Sequence, residues 1–135
     1  MNRTISPDTS DGAIEQEIVA KGLTAPRVTL NDVEANIASE HYFTAADGCL
    51  GAQGSIETHN ADPLRLLTIC VLVLRNGFTV TGESACASPE NFDAAIRRKL
   101  ARAHAVNKVW PLMGYALRQK LHDESQPDHS ISSFL

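Results

Sequence analysis

Leu66-Leu67-Thr68-Ile69-Cys70-Val71-Leu72-Val73-Leu74, then Arg75-Asn76-Gly77, then Phe78-Thr79-Val80-Thr81-Gly82-Glu83-Ser84, is the stretch whose reading decides the fold. A long apolar run reads as a strand, Asn76-Gly77 as a tight hairpin turn using positive-φ residues, and the remainder as the return strand. Ser88-Pro89-Glu90-Asn91 then opens a helix. Ser88 is the expected cap, and Pro89 sits at the first helical position, where its missing N–H costs nothing. The return strand alternates: Phe78 and Val80 share one face, Thr79, Thr81 and Glu83 the other. The first strand is apolar on both faces, which predicts that both are covered. A chain of 135 residues with one hairpin has little material for two covers. A second copy is the expected cover.

Beyond the hairpin, Phe92, Ile96, Leu100, Ala103, Val106, Trp110, Met113, Leu117 and Leu121 recur at three- and four-residue intervals. That spacing predicts one long helix with these residues as its buried stripe. Pro111 predicts a kink or a break near residues 107–110. Alanines at 94, 95, 101, 103 and 105 leave a thin surface for another helix to approach. Upstream, residues 13–21 read as a short helix carrying Ile14 and Ile18, ended by Gly22. Thr29 and Asp32 are spaced as the cap and third residue of a second helix, with Val28 and Val33 as its staple and Leu30, Val33 and Ile37 as its buried stripe. His41 to Gly48 fits either a helix extension or a strand. Residues 48–63, with Gly48, Gly51, Gly54 and Pro63, read as a long loop of the kind that forms lids. Residues 1–12 and 122–135 read as polar, disordered tails. The expected fold class is α+β, with one domain over residues 13–121. A small antiparallel sheet built on the 66–84 hairpin packs with N-terminal helices and one long, Pro-kinked C-terminal helix.

Composition narrows the function. The net charge of −4 divides into −7 over residues 1–63, +6 over 64–121 and −3 over 122–135. An acidic chain is poorly suited to tracking duplex DNA, whereas its basic centre suits a compact anion. No apolar run reaches membrane-spanning length, and the N-terminus has no signal-peptide pattern, so the expected location is the cytoplasm. Cys49, Cys70 and Cys86 are odd in number and unclustered, which argues against disulfides and structural zinc. Cys70 is expected in the core.

No nucleophile elbow, zinc-protease motif, P-loop or dinucleotide fingerprint is present. The five histidines are scattered, and no metal or cofactor is expected. Arg97, Arg98, Lys99 and Arg102 form the densest charge cluster. Arg98 and Arg102 share a helix face, and Arg97 reads as simply exposed. The plain reading is a solvated face paired with Glu90 or Asp93. The functional reading is a guanidinium pair for phosphates. Thr79, Thr81 and Glu83 read either as the wet face of a strand or as a pocket wall offering hydroxyls and a carboxylate to a ribose or a base edge. Asn91 either completes the helix cap or helps hold an anion at a helix N-terminus. Trp110 reads as core. A hydrolase using Glu83 with His41, His59 or His104 ranks last, since no motif supports it.

The segments Leu72 to Cys86, Pro89-Glu90-Asn91-Phe92-Asp93, Arg98-Lys99 and Lys108-Val109-Trp110-Pro111-Leu112-Met113-Gly114-Tyr115 resemble a family of small tailed-phage and prophage proteins. That family is named for gene 49 and gene 66 of two phages. Tyr42 to Gly48 is similar to it as well, and the likeness covers residues 28–121. The family name carries no mechanism. In size and plan the chain also resembles phage anti-Thoeris sponge proteins, oligomers that sequester cyclic ADP-ribose-type signals and in some cases cyclic oligonucleotides. That resemblance implies a non-enzymatic homo-oligomer (a dimer or a trimer of dimers) in the host cell cytoplasm, binding a cyclic nucleotide-type small molecule. By role, Phe78 would stack on a base, Asn91 would hydrogen-bond the ligand, and Arg98 or Arg102 would pair its phosphates. Thr79, Thr81 and Glu83 complete the expected ligand-binding set. The phage family often has Gly where this chain has Arg97. The other reading is an interaction module that docks a host or phage protein.

Overall fold

The computed structural model describes residues 10–127. In chain order the elements are α1 (Asp11–Ala20), α2 (Leu30–Ala35), β1 (Ile37–Thr44), α3 (Ala45–Gln53) and α4 (Thr58–Arg65), then β2 (Leu67–Leu74), β3 (Thr79–Ala85), a 3-10 turn (Pro89–Asn91) and α5 (Ala94–Ser125). The three strands form an antiparallel sheet in the order β1-β2-β3. This is the α+β arrangement read from the hairpin. No described helix is long and apolar enough to cross a membrane.

The central strand explains the architecture. Thr68, Cys70, Leu72 and Leu74 of β2 are buried and alternate with Leu67, Ile69, Val71 and Val73, which are half-buried. The buried set joins Val80 of β3 and Ala101, Ala105, Val106 and Val109 of α5 in the core, together with Val33 of α2. The hairpin turn is a three-residue loop, Arg75-Asn76-Gly77. Leu74 N–H donates to Phe78 O at 2.8 Å and Gly77 N–H to Leu74 O at 2.9 Å. Gly77 supplies the left-handed position, at φ 89°, as such loops require.

Helix α5 packs on the sheet by small residues. A Cβ at Gly82 would lie 2.1 Å from Ala101 O and 2.3 Å from Ala105 N, so strand and helix backbones are nearly in contact there. Ala101 and Ala105 of the alanine surface thus receive β3 rather than a second helix, and Ala94 and Ala95 are exposed. This corrects the first half of the expected stripe, while Val106, Trp110 and Met113 do lie in or against the core as expected. Ala101, Ala105 and Val109 face the sheet, while Ile96 and Leu100 remain 50% and 39% exposed and Ala103 is exposed too. The chain continues as one helix through Pro111, which sits on the exposed side. Of the kink or break expected near residues 107–110, the break does not occur. The 3-10 turn at Pro89–Asn91 is separate from α5, and Ser88 makes no capping bond. Asp93 caps α5 instead, accepting from Ile96 N–H at 3.0 Å.

Two capping boxes set the upstream helices. Thr29 and Asp32 cap α2 reciprocally, as expected. Thr44 and Asp47 do the same for α3, and Gly54 ends it in the left-handed region at φ 77°. The expected 48–63 loop therefore contains α3 and α4, and residues 37–44 are strand. The N-terminal tail expectation also gives way at its edge. Ser10 accepts from Ala13 N–H and starts α1 at Asp11. Helix α1 is tied down by the Arg27–Glu15 ion pair at 2.7 Å and by Trp110 Nε1–H donating to Asp11 at 3.3 Å. Helix α5 runs past residue 122 to Ser125, where Gln119 donates to Asp123 at 2.8 Å. The rest of both expected tails lies outside the described residues.

Candidate functional site

The cross-strand register defines a sheet face turned away from α5. Phe43, Ile69 and Glu83 form one row across it, His41, Val71 and Thr81 the next, and Ser39, Val73 and Thr79 a third. An aliphatic column thus runs down the middle, with the Ser39 hydroxyl, the His41 imidazole and the Phe43 ring on the β1 side and Thr79-Thr81-Glu83 on the β3 side. Thr81 Oγ1 donates to Glu83 Oε1 at 3.2 Å, and His41 Nε2 lies 3.0 Å from Ser39 Oγ. Helix α3 meets this face at one end, where Gly48 rests against the Phe43 ring. Val71 and Val73, further along, are only half-buried.

The other expected ligand residues lie elsewhere. Phe78 is 55% exposed. It lines a cavity of about 260 Å³ with Asn36, Leu74, Leu112 and Met113. Asn91 is exposed in the 3-10 turn at the far end of β3, whose seven residues span about 23 Å. Arg98 is exposed, and among the described residues it has no ion-pair partner. It lies about 21 Å along α5 from Leu112, the helix residue beside Phe78. Within one chain Phe78, the Thr79-Thr81-Glu83 row and the Asn91–Arg98 end do not converge.

Arg102 is already engaged. Its Nη2 donates to Glu34 Oε2 at 2.7 Å and its Nε to Glu40 Oε2 at 2.6 Å. Glu34 comes from α2 and Glu40 from β1, so this guanidinium ties three elements together instead of waiting for a phosphate. Tyr42 O–H also donates to Glu40, at 2.7 Å. That bond, with Arg102, holds the Glu40 carboxyl below the usual carboxylate range. Burial and then the Glu40 bond push the Tyr42 hydroxyl up, and the Glu34 bond comes first among the causes that raise Arg102.

Arg97 also departs from its expected exposure. It is half-buried, and its Nη1 donates to Ser84 Oγ and Ala85 O, both at 3.3 Å. Its Nε is buried without a hydrogen-bond partner. His104 Nδ1 lies 2.6 Å from Glu83 O. A carbonyl only accepts, so Nδ1 carries the proton. The Glu83 side chain is on the opposite sheet face from this contact, so the two do not form an acid–base pair. Among the described residues no three His, Cys, Asp or Glu side chains converge as metal ligands would.

A further cavity of about 580 Å³ lies between α3 and α4, lined by Cys49, Gln53, Ser55, Ile56, Glu57, Pro63 and Leu64. Sequence reasoning placed a loop here and gave it no site. The Thr44–Asp47 spacing was the available signal for its first wall.

The sequence matches the phage protein (N4 Gp49/phage Sf6 gene 66) family over residues 28–121. The chain belongs to that family. The match starts at the residue before the α2 cap and ends within α5, so the family unit is the sheet with α2 through α5, and α1 lies outside it. Every row of the open sheet face falls inside the family unit. No curated protein and no solved structure matches the chain.

Proposed function

We propose that this family member is a non-enzymatic phage accessory protein that sequesters a cyclic nucleotide-type signal of host immunity. The ligand would be cyclic ADP-ribose-like or a cyclic oligonucleotide, held in the seam between copies of the protein in the host cytoplasm. One observation carries the reading: the hydroxyl and carboxylate row Thr79-Thr81-Glu83 borders a half-buried aliphatic column that α5 does not touch. Such a surface offers a ribose or base edge hydrogen-bonding groups beside an apolar wall. Arg98, which has no ion-pair partner among the described residues, supplies a cation, and Phe78 an exposed ring. These groups are too far apart to serve one ligand within a chain, so the reading requires association of copies to gather them.

Isothermal calorimetry of roughly 50 µM protein against cyclic ADP-ribose isomers and cyclic oligonucleotides tests it, since micromolar binding is then visible. Heat with one of them is expected, and heating the complex should return that ligand intact. Silence with all of them refutes the reading, and recovery of a hydrolysed product refutes its non-enzymatic part.

A second reading, a module that docks a host or phage protein, is favoured by the exposed apolar side chains Phe78, Leu112 and Tyr115, the last 73% exposed. A stoichiometric protein partner captured from infected cells, with no retained small molecule, would favour it.

A further inference from the structure

We propose that α5 closes the outer edge of the sheet: His104 and Arg97 take β3 carbonyls that a further strand would need, so the sheet ends at β3 and is not extended there. This closure goes beyond the sequestration reading and depends on no ligand.

Strand β3 has a strand neighbour on one side only. Its backbone pairing decides which groups point to the other side. Leu74 N–H donates to Phe78 O and Cys86 N–H to Leu66 O, one bond at each end of the hairpin ladder. Antiparallel strands alternate bonded and unbonded pairs. Leu72 with Val80, Cys70 with Gly82 and Thr68 with Ser84 are therefore the bonded pairs between those ends. The N–H and C=O groups of Thr79, Thr81, Glu83 and Ala85 point away from β2. An added strand would lie about 4.8 Å further out and pair with them.

Side chains of α5 already hold two of these carbonyls. His104 Nδ1 lies 2.6 Å from Glu83 O, and Arg97 Nη1 lies 3.3 Å from Ala85 O. Each stands where an incoming N–H would have to sit. Their reach depends on Gly82, where strand and helix backbones nearly touch. Arg97 and His104 are two helical turns apart and so share one side of α5. Lys108, exposed, follows on the same side one turn later. A docked strand would have to desolvate that ammonium. Arg97 is half-buried, and its Nε is buried without a hydrogen-bond partner. An unmet N–H costs free energy. The arrangement is therefore a weak way to stabilise the fold, which favours a role in covering the edge.

Sedimentation velocity on the full chain at roughly 50 µM makes micromolar association visible. An Arg97→Ala/His104→Ala variant should form species heavier than any the wild type forms at that concentration. Adding Thr81→Pro removes one outward N–H and leaves the pairing with β2 intact. It should return the variant to the wild-type profile. A folded double variant with the wild-type profile overturns the proposal. So does extra association that Thr81→Pro leaves unchanged, since it would run through another surface. Nitrogen NMR of the wild-type histidines at about pH 9, where imidazoles are neutral, needs no variant. The His104 proton should sit on Nδ1, as the contact with Glu83 O requires. A proton on Nε2 overturns the proposal. Calorimetric silence with every nucleotide would refute the sequestration reading and leave the closed edge standing.

Discussion

Replacing Gly82 by alanine tests the closest packing in the molecule. The added Cβ would meet Ala101 O at 2.1 Å, Ala105 N at 2.3 Å and Ala105 Cα at 3.0 Å. All three are helix backbone atoms, so no side chain can rotate away. Ordinary contact requires α5 to retreat by about 1 Å, and dense interiors do not absorb such a shift without loss. The retreat would loosen Ala101, Ala105 and Val109 from Cys70, Leu72 and Val80. Overpacking of this kind costs about 3 kcal/mol. Glycine within a strand is itself unfavourable by about 0.5–1 kcal/mol, which alanine would recover. The net expectation is a loss of at least about 2 kcal/mol, or a melting temperature lower by roughly 8 °C for a domain of this size. Urea unfolding followed by the single tryptophan, with thermal circular dichroism beside it, measures both. Gly114→Ala is the control: nothing lies within 4 Å of its Cβ position, and in a helix interior alanine should gain up to about 1 kcal/mol. A Gly82→Ala protein as stable as the wild type would refute the close approach of β3 to α5.

Arg102→Met should cost about 1 kcal/mol, a modest figure because the pairs with Glu34 and Glu40 are partly exposed and solvent-screened. The difference from wild type should shrink in 1 M salt, at which the screening length is about 3 Å, as read from urea midpoints with and without salt. Leu72→Ala removes a side chain with no exposed surface and should cost about 3 kcal/mol in the same assay. Stability should fall in acid. Glu40, Asp32 and Asp47 are held below their ordinary values, Glu40 first by the Tyr42 hydroxyl and the two aspartates by their capping threonines. The folded state therefore holds these protons less tightly than the unfolded chain. Their contribution is complete above the ordinary carboxyl value of 4.5 and is lost as pH falls through the lowered folded values. Urea midpoints between neutral pH and about pH 3 check the direction.

What the sequence disclosed depended on the range of the interaction. The hairpin, the Thr29–Asp32 box and the alternation of Thr79, Thr81 and Glu83 are written within a few residues, and each was legible. The Thr44–Asp47 box is equally local, but it is followed by glycines at 48, 51 and 54, which read as loop punctuation. In the structure the last of these ends the helix and the first lies within it, beside the Phe43 ring. The first turns of α5 were misread, at Ile96, Leu100 and Ala103, because bulk was taken as the sign of burial, whereas Val106, Trp110 and Met113 do lie in or against the core. The helix lies so close to Gly82 that alanines fill the contact and the larger Ile96 and Leu100 turn outward. The state of Arg102 was not legible at all. Its carboxylates lie 62 and 68 residues away in sequence, and only the tertiary fold joins them. Arg97 was likewise decided by β3 carbonyl and hydroxyl oxygens that no helix periodicity reveals.

The strands stand in space in the same order as in the chain, and the two that α5 touches most precede it directly. Hairpin and helix can therefore assemble from neighbours, at little cost in loop closure, before β1 arrives. Substitutions at the hairpin turn should then slow refolding, while loss of the Glu40 pairing should chiefly hasten unfolding. Arg102 would act as the latch that is fastened last.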